Sequence, residues 1–206
     1  MKKLLIVLLG TFCFTAESFA QKFIEGDKTL AFLSGETEFN LKFDYAGVKV
    51  GKKDESVYKA EKIAEFNKKQ AGKGDRWNEK WDRSRENLYE PMFEELINKV
   101  LFKANPSIKV AKNLNSKYTI IVKTVMMEPG WNAVVAKQDP YCDFEVSWIE
   151  TSSGEVKAKC FMNNVMGIVM ADSDWDFNFE NRMKESYAKA GKMIGKAMSK
   201  PLKVKK

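Results

Sequence analysis

YCDFEVSWIETSSGEVKAKCFM, residues 141–162, has the pattern of a β-hairpin. Apolar residues occupy alternate positions of both predicted strands, namely Cys142, Phe144, Val146 and Trp148, then Val156, Ala158, Cys160 and Met162. Pairing around the turn at 151–155 places Cys160 near Val146 and Cys142 near Asn164. The two cysteines are then about 13 Å out of register, whereas a disulfide needs Cα atoms within about 7 Å. We therefore expect two buried thiols and no bridge.

Further strands are predicted on the N-terminal side of this hairpin. Residues 28–50 contain two extended segments, Thr29 to Leu33 and Phe39 to Tyr45, with breaks near Gly35 and Gly47. Residues 117–127 form a strong strand. After the turn at Glu128-Pro129-Gly130, the sequence Trp131-Asn132-Ala133 leads to Val134-Val135, which can begin another short strand.

Helical spacing of apolar residues predicts three regions. The first begins after cap residues at 54–56 and ends near Gln70, and residues 68–75, rich in lysine and glycine, predict a mobile surface loop. The period returns over 77–100, where Pro91 either kinks the helix or opens a new one, and Asn105-Pro106 ends the region. A last amphipathic helix carries Phe179 through Met198 and stops at Pro201.

The order of strands, helices, strands and helix predicts an α+β fold, a two-layer α/β arrangement with a mixed sheet and helices packed on one face. The chain has 206 residues and contains no internal repeat. After removal of a leader, residues 21–206 would form a single domain with its own apolar core.

The N-terminus has the order of a secretory signal peptide over residues 1–20. Lys2 and Lys3 precede an apolar run, and small residues at Ser18 and Ala20 predict cleavage before Gln21. Acylation of Cys13 is the alternative, but the bulky Phe12 before it is unfavourable for lipidation. The apolar run is too short to span a bilayer. We expect an exported protein, periplasmic or extracellular, that has no transmembrane segment.

The chain is basic, with a formal net charge of +7 that falls to +6 when Lys2, Lys3 and Glu17 leave with the leader. Six lysines cluster near the C-terminus: Lys192, Lys196, Lys200, Lys203, Lys205 and Lys206. The run of charge favours a solvated helix face with a frayed tail, and the alternative is peripheral contact with an anionic lipid or cell-wall polymer. Export makes a nucleic acid an improbable partner.

Histidine is absent, which excludes Ser-His-Asp and Cys-His catalysis and the usual zinc sites. No phosphate-binding glycine loop follows a strand, and no cofactor is expected. The alternating residues Asp172, Asp174, Asp176 and Asn178 resemble a calcium loop. Phe177 and Met183 stand where an EF-hand needs glycine and glutamate, so we expect an acidic loop before a helix and no metal site.

The five tryptophans are the remaining candidates for recognition. Trp148 belongs to the predicted sheet core, and Trp77 and Trp81 share one helical ridge, which favours packing. Trp131 follows a turn, so we expect it to be exposed and to bind a ligand together with Asn132. Lys192 and Lys196 complete the candidate binding residues.

From Lys117 to the end, the chain resembles exported envelope domains with a fold like the N-terminal domain of TolB. The residues that carry this resemblance are Tyr118 to Val122, Pro129 to Ala133, Ile149-Glu150 with Ser153 to Val156, Arg182, and Tyr187 to Lys192. The whole chain is similar to uncharacterised secreted proteins of Bacteroidota-type bacteria. These resemblances imply an accessory role in the envelope and bring no catalytic residues with them.

The sequence therefore predicts a noncatalytic envelope protein that binds another protein or a cell-surface polymer. The alternative is a glycan hydrolase that uses two of four carboxylates near strand ends: Glu128, Asp139, Asp143 and Glu150. A facing pair of carboxylates with one raised pKa would favour the hydrolase, and an exposed aromatic patch would favour the binding protein.

Overall fold

A computed structural model describes residues 21–133, 136–167 and 179–204, and it shows helices packed on a mixed sheet. The strands are β1 (Lys22–Gly26), β2 (Glu38–Asp44), β3 (Lys49–Val50), β4 (Lys53–Asp54), β5 (Lys109–Ala111), β6 (Tyr118–Glu128), β7 (Trp131–Ala133), β8 (Ala136–Gln138), β9 (Tyr141–Glu150) and β10 (Val156–Met166). The helices are α1 (Glu55–Lys69), α2 (Lys73–Ser84), α3 (Glu90–Ala104) and α4 (Phe179–Leu202).

The main sheet has eight strands, six of them in the order β1-β10-β9-β6-β2-β5. Strand β2 runs parallel to β5 and β6, while β1, β10, β9 and β6 pair in antiparallel fashion. The short strands β3 and β4 join at the end of β6, and β7 pairs with β8 in a separate small sheet. This mixed sheet with helices confirms the predicted α+β class.

The predicted hairpin is formed by β9 and β10. Cys160 lies opposite Val146, as the sequence predicted, and Cys142 lies opposite Val165, one residue beyond the predicted partner. A bulge between Met162 and Val165 causes the difference, and Asn164 within it has a positive φ of 52°. Both thiols are free and buried.

One face of the sheet packs against α3 and α4. Phe144 of β9 meets the ring of Tyr187 on α4 edge to face, and the Tyr187 hydroxyl lies 2.7 Å from Thr124 Oγ1 of β6. One stripe of residues on α4 packs against this face of the sheet. The stripe consists of Met183, Tyr187, Ala190, Ile194 and Met198, all fully buried. The predicted amphipathic helix is therefore present, and it extends one residue past Pro201.

Helices α3 and α4 run parallel and come very close together at two glycines of α4. A Cβ atom on Gly191 would lie 2.4 Å from the carbonyl oxygen of Phe93, and one on Gly195 would lie 2.9 Å from Cβ of Val100. Such distances leave no room for a side chain. Glycine at these positions is what allows the two helices to pack backbone to backbone.

Helices α1 and α2 form a hairpin at the side of the sheet. Helix α1 has no buried residue, and aromatic contacts attach it to the rest of the chain. Its Tyr58 and Phe66 contact Trp77 and Trp81 of α2, and both tryptophans contact Phe179 at the start of α4. The predicted packing role of Trp77 and Trp81 is confirmed, as is the core position of Trp148.

Residues 68–75 contain less loop than the sequence predicted. Helix α1 continues to Lys69 and α2 begins at Lys73. Gly72 makes the turn with a φ of 73°. Gly74 is buried against α1, where a Cβ atom would lie 2.2 Å from the carbonyl oxygen of Ile63. The glycines allow two helices to approach, and they do not mark an unpacked segment.

The segment Thr29 to Leu33 was predicted as a strand, and that prediction is wrong. The carboxylate of Asp27 accepts the backbone N–H groups of Thr29 and Ala31, both at 2.8 Å, and starts a 3₁₀ turn over Ala31–Leu33. The second predicted strand is present as β2. Buried Leu30 and Leu33 explain the apolar pattern without a strand.

Pro91 lies in the first turn of α3, the place that one of the two predicted alternatives gave it, but the helical path before it is not interrupted. A π-helical turn at Arg85–Tyr89 joins α2 to α3, so the chain is helical from 73 to 104.

Several predictions fall outside the described residues. They are the signal peptide at 1–20 with Cys13, the strand at Val134-Val135, Trp175, the calcium-like Asp172, Asp174, Asp176 and Asn178, and the terminal Lys205 and Lys206. Among the residues that are described, no helix combines the length and the apolar character needed to cross a membrane.

Candidate binding cleft at Trp131

A braced turn after β6 positions Trp131. Gly130 has a φ of 66°, and a Cβ atom there would lie 2.4 Å from the carbonyl oxygen of Gln138, so only glycine fits. The N–H of Gly130 donates to Glu128 Oε1 at 3.0 Å. Arg182, buried in the first turns of α4, donates to the carbonyl oxygens of Pro129 at 3.2 Å and Gly130 at 3.4 Å.

Trp131 stands at the edge of an open cleft of about 430 Å³ between this turn, the β3–β4 turn and α1. Trp131 is 49% exposed. Tyr58 of α1 supplies a second aromatic ring. The lining residues are Val50, Gly51, Lys52, Lys53, Tyr58, Glu61, Lys62, Glu65, Glu128, Pro129, Gly130 and Trp131.

Charged groups of both signs line the cleft. Lys53 forms an ion pair with Glu61, and Lys62 Nζ lies 2.8 Å from Glu65 Oε2. Hydrogen bonds from Lys62 and Lys69 lower the pKa of Glu65 to about 2, so this carboxylate stays ionised. Burial, with the nearby charge of Glu128, raises the pKa of Tyr58 to about 12. The Tyr58 hydroxyl therefore keeps its proton and can donate a hydrogen bond.

This arrangement suits binding. A half-exposed indole offers a flat apolar surface, while carboxylates, lysines and a phenol beside it accept and donate hydrogen bonds. Pockets that combine an aromatic surface with a few placed polar groups orient a ligand through those groups.

The four carboxylates considered for glycan hydrolysis are not brought together in this cleft. Glu128 lines it, but Glu150 lies at the other end of β9, about 30 Å away at the strand rise, and pairs with Lys157. Asp143 accepts the backbone N–H of Asn164 at 2.7 Å, and burial raises its pKa, yet it does not line the cleft. Asp139 lies between β8 and β9.

The other predicted binding residues fall in two places. Asn132 follows Trp131 in β7 and pairs with Lys137 of β8. Lys192 and Lys196 lie 10 and 14 residues beyond Arg182 on α4, about 15 and 21 Å along the helix. They line a different groove, of 410 Å³, so the structure does not join them to Trp131.

Sequence reasoning identified Trp131 and missed its neighbours in the cleft. Tyr58 and the charged residues of α1 are more than sixty positions away in the chain, and nothing in their local pattern distinguishes them from an ordinary helix surface. Arg182 was noted only as part of a resemblance, and its role in bracing the turn depends on tertiary contacts.

Metal ligands do not cluster in the described part of the chain. Its cysteine, aspartate and glutamate side chains form no group of three or more that could hold an ion, and histidine is absent from the whole sequence.

Comparisons with known proteins give only remote structural similarity. No protein-family model matches the sequence, and no curated protein matches it. Two solved structures of the PelC dodecamer from Paraburkholderia phytofirmans, one of them a point variant, are similar to this chain with TM-scores of 0.42 and 0.41 and 10% identity. Each covers 90% of this chain, and the matched regions span 98% and 99% of the PelC chains. Similarity at this level does not establish a shared fold or function.

Proposed function

We propose that this protein is an exported, noncatalytic accessory protein of the cell envelope, periplasmic or extracellular, that binds a cell-surface polymer in the Trp131 cleft. The observation that carries the proposal is the half-exposed Trp131 on a turn braced by Arg182, beside charged groups and Tyr58. Because these contacts already order the backbone of the turn, binding a ligand at Trp131 costs little further backbone ordering.

The shape and chemistry of the cleft favour a hydroxyl-rich polymer over a protein partner. Protein interfaces usually centre on a contiguous apolar patch. In the cleft, Trp131 is instead surrounded by Lys52, Glu61 and other ionisable groups. A sugar chain can stack one ring face on the indole and exchange hydrogen bonds with the carboxylates and lysines around it.

The test is binding of the chain from Gln21 to Lys206 to a panel of soluble envelope polysaccharides, measured by affinity electrophoresis and calorimetry. We expect Trp131→Ala to weaken binding about tenfold, the loss of one aromatic contact. Ile24→Ala is the matched control, because Ile24 is another half-exposed apolar side chain, on β1, outside the cleft.

Equal binding by the Trp131 variant and the wild type would reject the cleft as the polymer site. Failure of every polymer, together with Trp131-dependent crosslinking to an envelope protein, would assign the cleft to a protein partner instead. Release of reducing ends from a bound polysaccharide would contradict the noncatalytic role.

We further infer that residues 117–206 share the fold of the TolB N-terminal domain and that the chain belongs with the secreted Bacteroidota-type proteins it resembles. The support is the run of β6, β9, β10 and α4, which follows the residues that carry the resemblance. An experimental structure superposed on TolB tests the fold, and sequencing the N-terminus of the protein recovered from cells tests cleavage before Gln21.

A further inference from the structure

The C-terminal halves of α3 and α4 carry a surface of lysines that the Trp131 cleft does not use. Because the two helices run parallel, these halves lie side by side. We call this surface the basic end, and it comprises Lys99, Lys103, Lys192, Lys196, Lys200 and Lys203, all exposed. On α4, Lys192, Lys196 and Lys200 recur every four residues, which places them on one helical ridge, and Lys203 follows the end of the helix.

Two hollows run along the basic end, and one of them is lined by lysines of both helices. Lys192 and Lys196 line a groove of 410 Å³ with Leu96 of α3. Lys103, Lys200 and Lys203 line a second hollow at the C-terminal ends of the helices. Lys99 lies on α3 between Leu96 and Lys103, at helical spacing from both.

The charge of the basic end is largely uncompensated. Within the described part of the chain, none of its six lysines has an ion-pair partner, whereas Lys53, Lys112 and Lys157 elsewhere each pair with a glutamate. Two acidic residues face it: Glu185 in the groove and exposed Glu95 one turn before Lys99. Six lysines against two glutamates leave an excess of positive charge at one end of the molecule.

Exposed apolar side chains lie among these lysines. Phe102, between Lys99 and Lys103, is 61% exposed, and Val204 after α4 is 55% exposed. Leu96, Met166 and Met193 contribute apolar surface to the groove. Lysines alone could bind any polyanion. An exposed phenylalanine beside them is typical of surfaces that bind at the boundary between lipid headgroups and acyl chains.

The helix dipoles explain only part of this pattern. Lysines in the last turn of a helix are stabilised by the partial negative charge there, which accounts for Lys103 and Lys200. Lys192 and Lys196 lie in the middle of α4, outside the range of that effect. The exposure of Phe102 has no explanation in helix stability either.

We propose that the basic end docks on an anionic lipid bilayer, with its lysines at the headgroup phosphates and with Phe102 and Val204 at the acyl boundary. This inference is independent of polymer binding. Arg182, which braces the Trp131 turn, lies 18 residues before Lys200 on α4, about 27 Å along the helix. A docked molecule therefore holds its Trp131 cleft away from the lipid surface.

Cosedimentation of the chain from Gln21 to Lys206 with vesicles tests the proposal. Vesicles of phosphatidylglycerol and phosphatidylcholine are compared with vesicles of phosphatidylcholine alone. We expect binding only to the anionic vesicles, and about a hundredfold weaker binding for the triple variant Lys192→Gln, Lys196→Gln, Lys200→Gln, since each lysine near the surface contributes about fivefold.

The matched control carries the same change of charge at exposed lysines elsewhere: Lys22→Gln, Lys42→Gln, Lys68→Gln. We expect this control and Trp131→Ala to bind vesicles as the wild type does, and Phe102→Ala to bind several-fold more weakly. Equal losses in the two triple variants would overturn the proposal, because net charge alone would then explain binding. Binding to soluble polyphosphate without binding to vesicles would also overturn it, and would assign the lysines to a polymer.

Discussion

At the scale of single residues, Asp143 shows how burial and hydrogen bonding compete. Its carboxylate accepts one backbone N–H, from Asn164, but partial burial dominates and raises its pKa. The ionised form is therefore less favourable in the folded chain than in the unfolded chain. Since the asparagine side chain can accept the same N–H, Asp143→Asn removes the charge and keeps the contact.

We expect Asp143→Asn to raise the melting temperature, by an amount that depends on pH. At about pH 3 the carboxyl is protonated in both states of the wild type, so the two proteins should melt together. As the pH rises through the unfolded pKa and then the folded pKa, ionisation destabilises the wild type only, and the difference grows to a plateau. Calorimetry from about pH 3 to about pH 7 measures it, and a difference that shrinks with rising pH would show that Asp143 is stabilised as a carboxylate.

At the scale of elements, the contact between α3 and α4 depends on two glycines of unequal importance. A methyl group at Gly191 meets the backbone of α3 at Phe93, whereas one at Gly195 first meets the side chain of Val100. We expect Gly191→Ala to lower the free energy of unfolding by about 2 kcal/mol, after the gain in helix propensity, and Gly195→Ala to lower it by about 1 kcal/mol or less. Urea unfolding measures both losses. A larger loss for Gly195→Ala than for Gly191→Ala would show that the closest contact between the helices is not at Gly191.

The elements also show where sequence reasoning succeeds. The β9–β10 hairpin was predictable, with its register up to the bulge after Met162, because alternation and a polar turn are local signals that agree. The structure of the segment after Asp27 was not predictable in this way. Its apolar residues Leu30 and Leu33 have the pattern of a strand, but the Asp27 carboxylate starts a helical turn there. The prediction of a loop at residues 68–75 was wrong for a related reason. A glycine that permits close packing of helices looks the same in the sequence as a glycine in a loop.

The candidate site, too, was only partly predictable from the sequence. Exposure of Trp131 followed from its position after a turn, but the cleft depends on Tyr58, which reaches it only in the folded chain. The clustering of lysines on α4 was visible in the sequence. Their union with Lys99 and Lys103 was not, because it requires α3 and α4 to lie parallel.

At the scale of the whole molecule, stability is unevenly distributed. Helix α1 buries no residue completely, while α4 supplies the centre of the core. In hydrogen exchange followed by mass spectrometry, we expect α1 amides to exchange on the order of a hundredfold faster than those in the middle of α4. Similar protection of both helices would mean that the aromatic contacts around Trp81 bind the α1–α2 hairpin as firmly as the core binds α4.

The position of α4 after all the described strands has a consequence for how the sheet acquires its cover. Helix α4 shares with α3 the role of covering the apolar face of the sheet, and it is synthesised after every described strand. Its residues on that face are Met183, Tyr187, Ile194 and Met198. A nascent chain therefore lacks this helix until every described strand has been made, so its folding is delayed by its topology. Until α4 arrives, the strands leave part of their apolar face without a cover, and the sheet alone cannot complete the native core.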